Sequence, residues 1–141
     1  MADAVTRPTD ADPVAFVDAV AHPVRRRDAH TLLALYGRVI GQPAVMWGPS
    51  IIGFGTYRYR YASGRTGQAP AAGFSPRAAA TTIYLPMGVE DLAADLDALG
   101  PHRRTVSCVH VTDLARLDTE VFERVVARGY AAVRAAWPEP A

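Results

Sequence analysis

The chain has 141 residues, half of them hydrophobic and 21% charged, with 15 basic against 14 acidic side chains for a formal net charge of +1. This composition describes a single globular domain with a core of its own and excludes wholesale disorder. The near balance of charge provides no basic field of the kind nucleic-acid binding needs, and no apolar run reaches the roughly 18 residues of a membrane span. All basic residues are arginine, which removes lysine Schiff bases and PLP attachment from the available chemistry. The one cysteine, Cys108, forms no intramolecular disulfide and fits a reducing compartment. Met1 to Asp12 carries three aspartates and no apolar segment resembling a signal peptide, so a cytoplasmic location is expected.

Residues 1–11 read as a loose tail, followed by one domain over 12–137. Asp12-Pro13 is a helix start, with Asp as N-cap and Pro in the first turn, and the apolar stripe Val14, Phe16, Val17, Val20 ends near His22. Pro23 opens a second helix, in which Leu32, Leu33, Leu35, Tyr36, Val39 and Ile40 recur at helical spacing; Gly41 is its natural stop. Arg25, Arg26 and Arg27 crowd its first turns, where three arginines are ordinarily solvated. Tyr57-Arg58-Tyr59-Arg60-Tyr61 alternates with period two and predicts a strand. Ser63 to Ala72 reads as a loop, Gly73 to Ser75 as a short strand and Thr81 to Leu85 as another. A third helix is expected from Val89 to Leu99, a strand from Val106 to Thr112, and a last helix capped by Asp118 or Thr119. The order α-α-β-β-β-α-β-α, with its strands clustered and joined by short turns, predicts an α+β domain. It would have a mainly antiparallel sheet with helices packed on one face.

The segment Pro43-Ala44-Val45-Met46-Trp47-Gly48-Pro49-Ser50-Ile51-Ile52-Gly53-Phe54-Gly55 resembles the YdhG-like domain-of-unknown-function family. So do Tyr57 to Tyr61, Ser63-Gly64-Arg65, Gly73-Phe74-Ser75-Pro76-Arg77 and Ser107-Cys108. The resemblance covers about Ala15 to Arg128 and implies a compact α+β domain. Gln68, Ala78, Val106 and Thr112 stand where the family pattern has charged residues. Some members are described as frataxin-like intracellular iron chaperones, so the resemblance also implies iron handling.

Period two places Tyr57, Tyr59 and Tyr61 on the helix-covered side of the sheet and Arg58 and Arg60 on the other. Thr82, Tyr84, Cys108 and His110 should share the open face, with Ile83, Leu85, Val109 and Val111 facing the core. Arginine forks beside a phenol and an imidazole suit a small anion. The candidate ligand residues are therefore Arg58, Arg60, Tyr84, His110, Trp47 and Arg77. An ordinary solvated or dimeric sheet face is the competing reading. Cys108 and His110, two apart on one strand, can touch one metal, and Asp91 and Asp95 are neighbours on one helix face. These four form the alternative metal set. The leading expectation is a non-enzymatic binding or interaction domain without a cofactor. The alternatives are an iron-binding chaperone, or a small enzyme or sensor taking an anionic metabolite on the open face. Candidate partners are a small anionic ligand and a second copy in a homodimer, not nucleic acid or a membrane.

Overall fold

Local sequence chemistry sets the starts of the first two helices and the end of the second in the computed structural model, which describes residues 7–138. Asp12 accepts from the Val14 N–H at 3.0 Å and opens α1 (Pro13–Asp18). The His22 ring accepts from the backbone N–H groups of Val24 and Arg25 and opens α2 (Pro23–Ile40). The left-handed Gly41, at φ +75°, closes α2; glycine enters that region without the Cβ clash of other residues.

The sheet has six strands in the order β1-β2-β3-β4-β6-β5, and every neighbouring pair is antiparallel. β1 is Ala44–Trp47, β2 Ile51–Arg60, β3 Thr66–Pro76, β4 Thr81–Tyr84, β5 Arg103–Arg104 and β6 Cys108–Val111. The chain is an α+β domain with the expected helix and strand order, to which β1 and β5 add short strands at the two edges. The expected loop over 66–72 is instead the first half of β3, paired with β2 from Arg60↔Thr66 to Phe54↔Ala72. Its Gly, Ala and Pro residues have low strand propensity, and pairing to the aromatic strand overrides that. The Tyr59 ring lies over Gly67, occupying the space a Cβ there would need. The presumed tail is tied down from Arg7 to Thr9: Thr9 N–H donates to Met46 O at 2.8 Å and Gly48 N–H to Arg7 O at 2.9 Å, along the outer edge of β1. Residues 1–6 lie outside the described residues.

Phe54, Phe74 and Tyr36 form the centre of the core, with Tyr36 stacked 5.0 Å from Phe54 and tilted against Phe74 at 5.3 Å. Ile83, Leu85, Val109 and Val111 face it from the sheet, and Phe122, Val125 and Val126 of α4 (Thr119–Ala136) close it. The expected third helix divides into a 3-10 turn, Glu90–Leu92, and α3, Ala93–Asp97. Its apolar face is as read, since Leu92, Leu96 and Leu99 are all buried. Neither piece has a side-chain cap, which leaves the first N–H groups without local acceptors and shortens the regular helix.

Of the Arg25-Arg26-Arg27 run only Arg27 is exposed, as expected of such a run, and all three side chains have partners. Arg25 is buried and donates from Nη1 to Thr112 O at 2.6 Å and from Nη2 to Ala79 O at 2.7 Å. Arg26 donates to Val20 O. Arg27 spans Asp28 and Asp113, while buried Asp28 also accepts from the Leu114 N–H at 2.9 Å. Arg25 and Arg27 staple the start of α2 to loops far away in sequence, and Arg26 ties it back to the α1–α2 connection.

Candidate functional site

Gly55 decides which side chains the open face carries. Strict alternation from the core residues Ile52 and Phe54 would point Thr56, Arg58 and Arg60 toward the helices. Gly55 takes φ +74° instead, and a Cβ there would meet Tyr130 and Arg134 of α4. After this kink the phase is reversed. Tyr57 meets Trp137 at the end of α4, with ring centroids 6.4 Å apart, and Tyr57, Tyr59 and Tyr61 contact one another along one side, while the exposed Arg58 and Arg60 alternate with them. The two faces therefore hold the tyrosines and arginines as the sequence reading assigned them.

Four of the proposed residues or their cross-strand neighbours converge further along this face. Thr82 pairs with His110 and Tyr84 with Cys108 across β4 and β6, and Arg103 of β5 pairs with His110 from the other side. Direct cross-strand partners share a face. The Arg77 Nη2 donates to the Tyr84 hydroxyl at 3.2 Å, and Thr82 Oγ1 shares a 3.2 Å hydrogen bond with His110 Nδ1. Beside them a cavity of about 350 Å³ opens between the β3–β4 turn and the β5–β6 edge, lined by Ala79, Ala80, His102, Arg103, His110 and Thr112 among others. Among the described residues no carboxylate lines it, and neither Arg77 nor Arg103 forms an ion pair. The His110 imidazole is pushed below its ordinary pKa, first by burial and then by the positive charges of Arg103 and Arg77. An imidazole whose charged form is opposed by two nearby guanidiniums is a place where an anion relieves like-charge repulsion.

The other ligand candidates lie elsewhere. Trp47 is 1% exposed, with its indole lying on Gly53 and so close that a Cβ there would approach Cδ1 to 2.6 Å; it packs rather than binds. Arg58 and Arg60 sit on the projecting part of the β2–β3 hairpin. Gly53, Gly73 and Tyr84 are in cross-strand register, so Arg58, five positions along from Gly53, is about 16 Å from Tyr84 along the strands at ~3.3 Å per residue. It lines a separate hollow with Gln42, Val45 and Gln68.

The metal set does not assemble. Asp95 is 8% exposed, and both of its oxygens are taken, Oδ1 by Arg124 Nε at 2.9 Å and Oδ2 by Arg128 Nη1 at 2.6 Å. These arginines hold its carboxyl below the usual range, the Arg124 hydrogen bond contributing most. Asp91 lies in the exposed 3-10 turn. Cys108 and His110 do share a face, as expected. Among the described residues no group of three His, Cys, Asp or Glu is placed to hold a metal ion.

Sequence reading missed His102, Arg103 and the clamp at Arg25. The Arg103-Arg104 pair stood between a helix stop and a strand with no periodicity to mark it as β5. Nothing in the local spacing of Arg25 signals carbonyls more than fifty residues away. No protein-family model, no curated protein and no solved structure matches this chain.

Proposed function

We propose that the chain is a small non-enzymatic binding domain that takes a small anion of phosphate or carboxylate type on the open sheet face. Arg77, Arg103 and His110 supply the charge and Tyr84 and Thr82 the neutral hydrogen-bonding groups. The observation that carries the reading is a 350 Å³ cavity lined by Arg103 and the partly buried His110, with Arg77 near enough to lower the His110 pKa and, among the described residues, neither arginine in an ion pair. Arginine offers a rigid fork of donors for an oxyanion, and His110 adds a proton when the anion arrives. The YdhG-like resemblance is kept as a proposal about kinship. Iron handling has the weaker support, because Asp95 is committed to Arg124 and Arg128.

The test is a titration of the full chain with inorganic phosphate, following the His110 ring by NMR. Binding should raise the imidazole pKa and move its resonances saturably. Arg77→Gln and Arg103→Gln should each weaken the response, whereas Arg58→Ala and Arg60→Ala should leave it intact. A His110 titration curve unchanged by phosphate, or one equally sensitive to Arg58→Ala, refutes the assignment.

A further inference from the structure

Three side chains around the open-face cavity carry polar atoms that nothing in the described residues uses and that solvent reaches. The His102 ring is held through Nδ1 against Gly100 O at 2.7 Å. A carbonyl only accepts, so Nδ1 carries the proton and Nε2 of the neutral ring is an acceptor. That Nε2 has no partner among the described residues and is open to solvent. His110 is alike: its Nδ1 shares a hydrogen bond with Thr82 Oγ1, while Nε2 is unpartnered and open to solvent. Arg103 is exposed on β5, and among the described residues its guanidinium has neither a hydrogen bond nor an ion pair. All three line one cavity of about 350 Å³, to which Ala79, Ala80 and Pro101 add an apolar wall. At ~30 Å³ for a water, that volume has room for about ten, so an inorganic anion leaves much of it unfilled.

From this combination we infer that the ligand of the open face is a hydroxylated organic phosphate, the phosphomonoester of a small polyol. The inference rests on the anion-binding reading of the same site and names the class of anion. The phosphate oxygens accept from the Arg103 fork and from His110 Nε2–H, the proton sitting there when the Thr82 hydroxyl donates to Nδ1. The carbon skeleton lies against Ala79, Ala80 and Pro101, and a hydroxyl donates to His102 Nε2. A phosphomonoester carries about −1.5 to −2 charges at neutral pH and three accepting oxygens. It thus answers donors on two strands, whereas a carboxylate offers one charge and two oxygens in a plane. The apolar wall selects it over inorganic phosphate, which has nothing to place there. The His102 acceptor selects it over an alkyl phosphate, which has no hydroxyl to give. A few convergent polar groups in an otherwise apolar wall is the usual composition of a small-molecule pocket, and the volume falls within that range.

The probes are glycerol phosphate, propyl phosphate and inorganic phosphate, each titrated into the full chain and read on the ring resonances of His102 and His110. All three are expected to move His110 saturably, and glycerol phosphate alone to move His102 strongly. Glycerol phosphate should bind about three- to tenfold more tightly than propyl phosphate, the worth of one net hydrogen bond, and inorganic phosphate should be the weakest. His102→Phe keeps a ring and removes the acceptor, so it should bring glycerol phosphate down to the affinity of propyl phosphate, with thermal unfolding confirming the fold. The His102 resonances of the parent chain make the same test should that variant fail to fold. Glycerol phosphate binding no better than inorganic phosphate, or moving His110 without His102, would overturn the ligand class and leave the anion reading in place. A preference for glycerol phosphate that survives in folded His102→Phe would also overturn it. A His110 ring that answers none of the three probes would remove the anion reading and this inference together.

Discussion

Arg25→Met isolates the guanidinium that joins the start of α2 to the two loops around the anion cavity. Methionine keeps most of the aliphatic stem and removes the charged head. Two hydrogen bonds from a charged donor disappear, those to Thr112 O and Ala79 O at 2.6 and 2.7 Å; at about 1.5–3 kcal/mol each the gross loss is ~3–6 kcal/mol. The same change removes a buried Nε without a partner, which returns about 1–3 kcal/mol. The net expectation is a destabilisation of about 2–3 kcal/mol, a large share of the ~5–15 kcal/mol available to a domain. At ~3 °C per kcal/mol for a chain of this size, Tm should fall by ~6–9 °C. Urea unfolding followed by tryptophan fluorescence measures it, with an unchanged m-value showing that the same surface is exposed. Phosphate affinity should fall as well, because Ala79 and Thr112 line the open-face cavity. A loss under about 0.5 kcal/mol would mean that the buried fork contributes no more than a solvated arginine and would refute the clamp.

Gly53→Ala should destabilise by about 1–2 kcal/mol: its Cβ would lie 2.6 Å from both Trp47 Cδ1 and Pro70 Cβ, and overpacking of this kind outweighs the gain in chain stiffness. Trp47→Leu in the same chain should recover part of that loss, and a neutral single variant in urea unfolding would contradict the packing. Asp95→Asn should destabilise at neutral pH. The folded-state pKa of Asp95 is depressed, so its stabilisation is present above the unfolded value of about pH 4 and is lost as pH falls through the lower folded value. The gap between parent and variant in urea unfolding should therefore close on acidification, and a constant gap would remove the ion pairs from the explanation. His110→Gln should behave oppositely. The lowered His110 pKa means that the unfolded chain binds the proton more readily, so the parent loses stability below about pH 6.5 and the variant gains on it there. Thermal melts across that range decide the point, and parallel profiles would count against it.

The ends of α1, α2 and α4 are local matters, set by Asp12, Gly41 and Asp118 within a few residues of the backbone groups they satisfy. The sequence alone determined these, and with them the apolar faces of the helices and the core phase of Ile83, Leu85, Val109 and Val111, because periodicity is written in neighbouring residues. It also determined that Tyr84 and His110 share a face. The tertiary structure decided the rest. Residues 66–72 became a strand through pairing with β2, not through their own propensity. Asp95 became an ion-pair partner once α4 brought Arg124 and Arg128 to it. Arg58 and Arg60 left the site because β3 runs past the end of β4, which pairs only with residues 73–76 of it. Arg103 joined it through a two-residue edge strand, and Arg25 was buried by acceptors at Ala79 and Thr112. Each of these outcomes depends on contacts distant in sequence, whose partners no local pattern names.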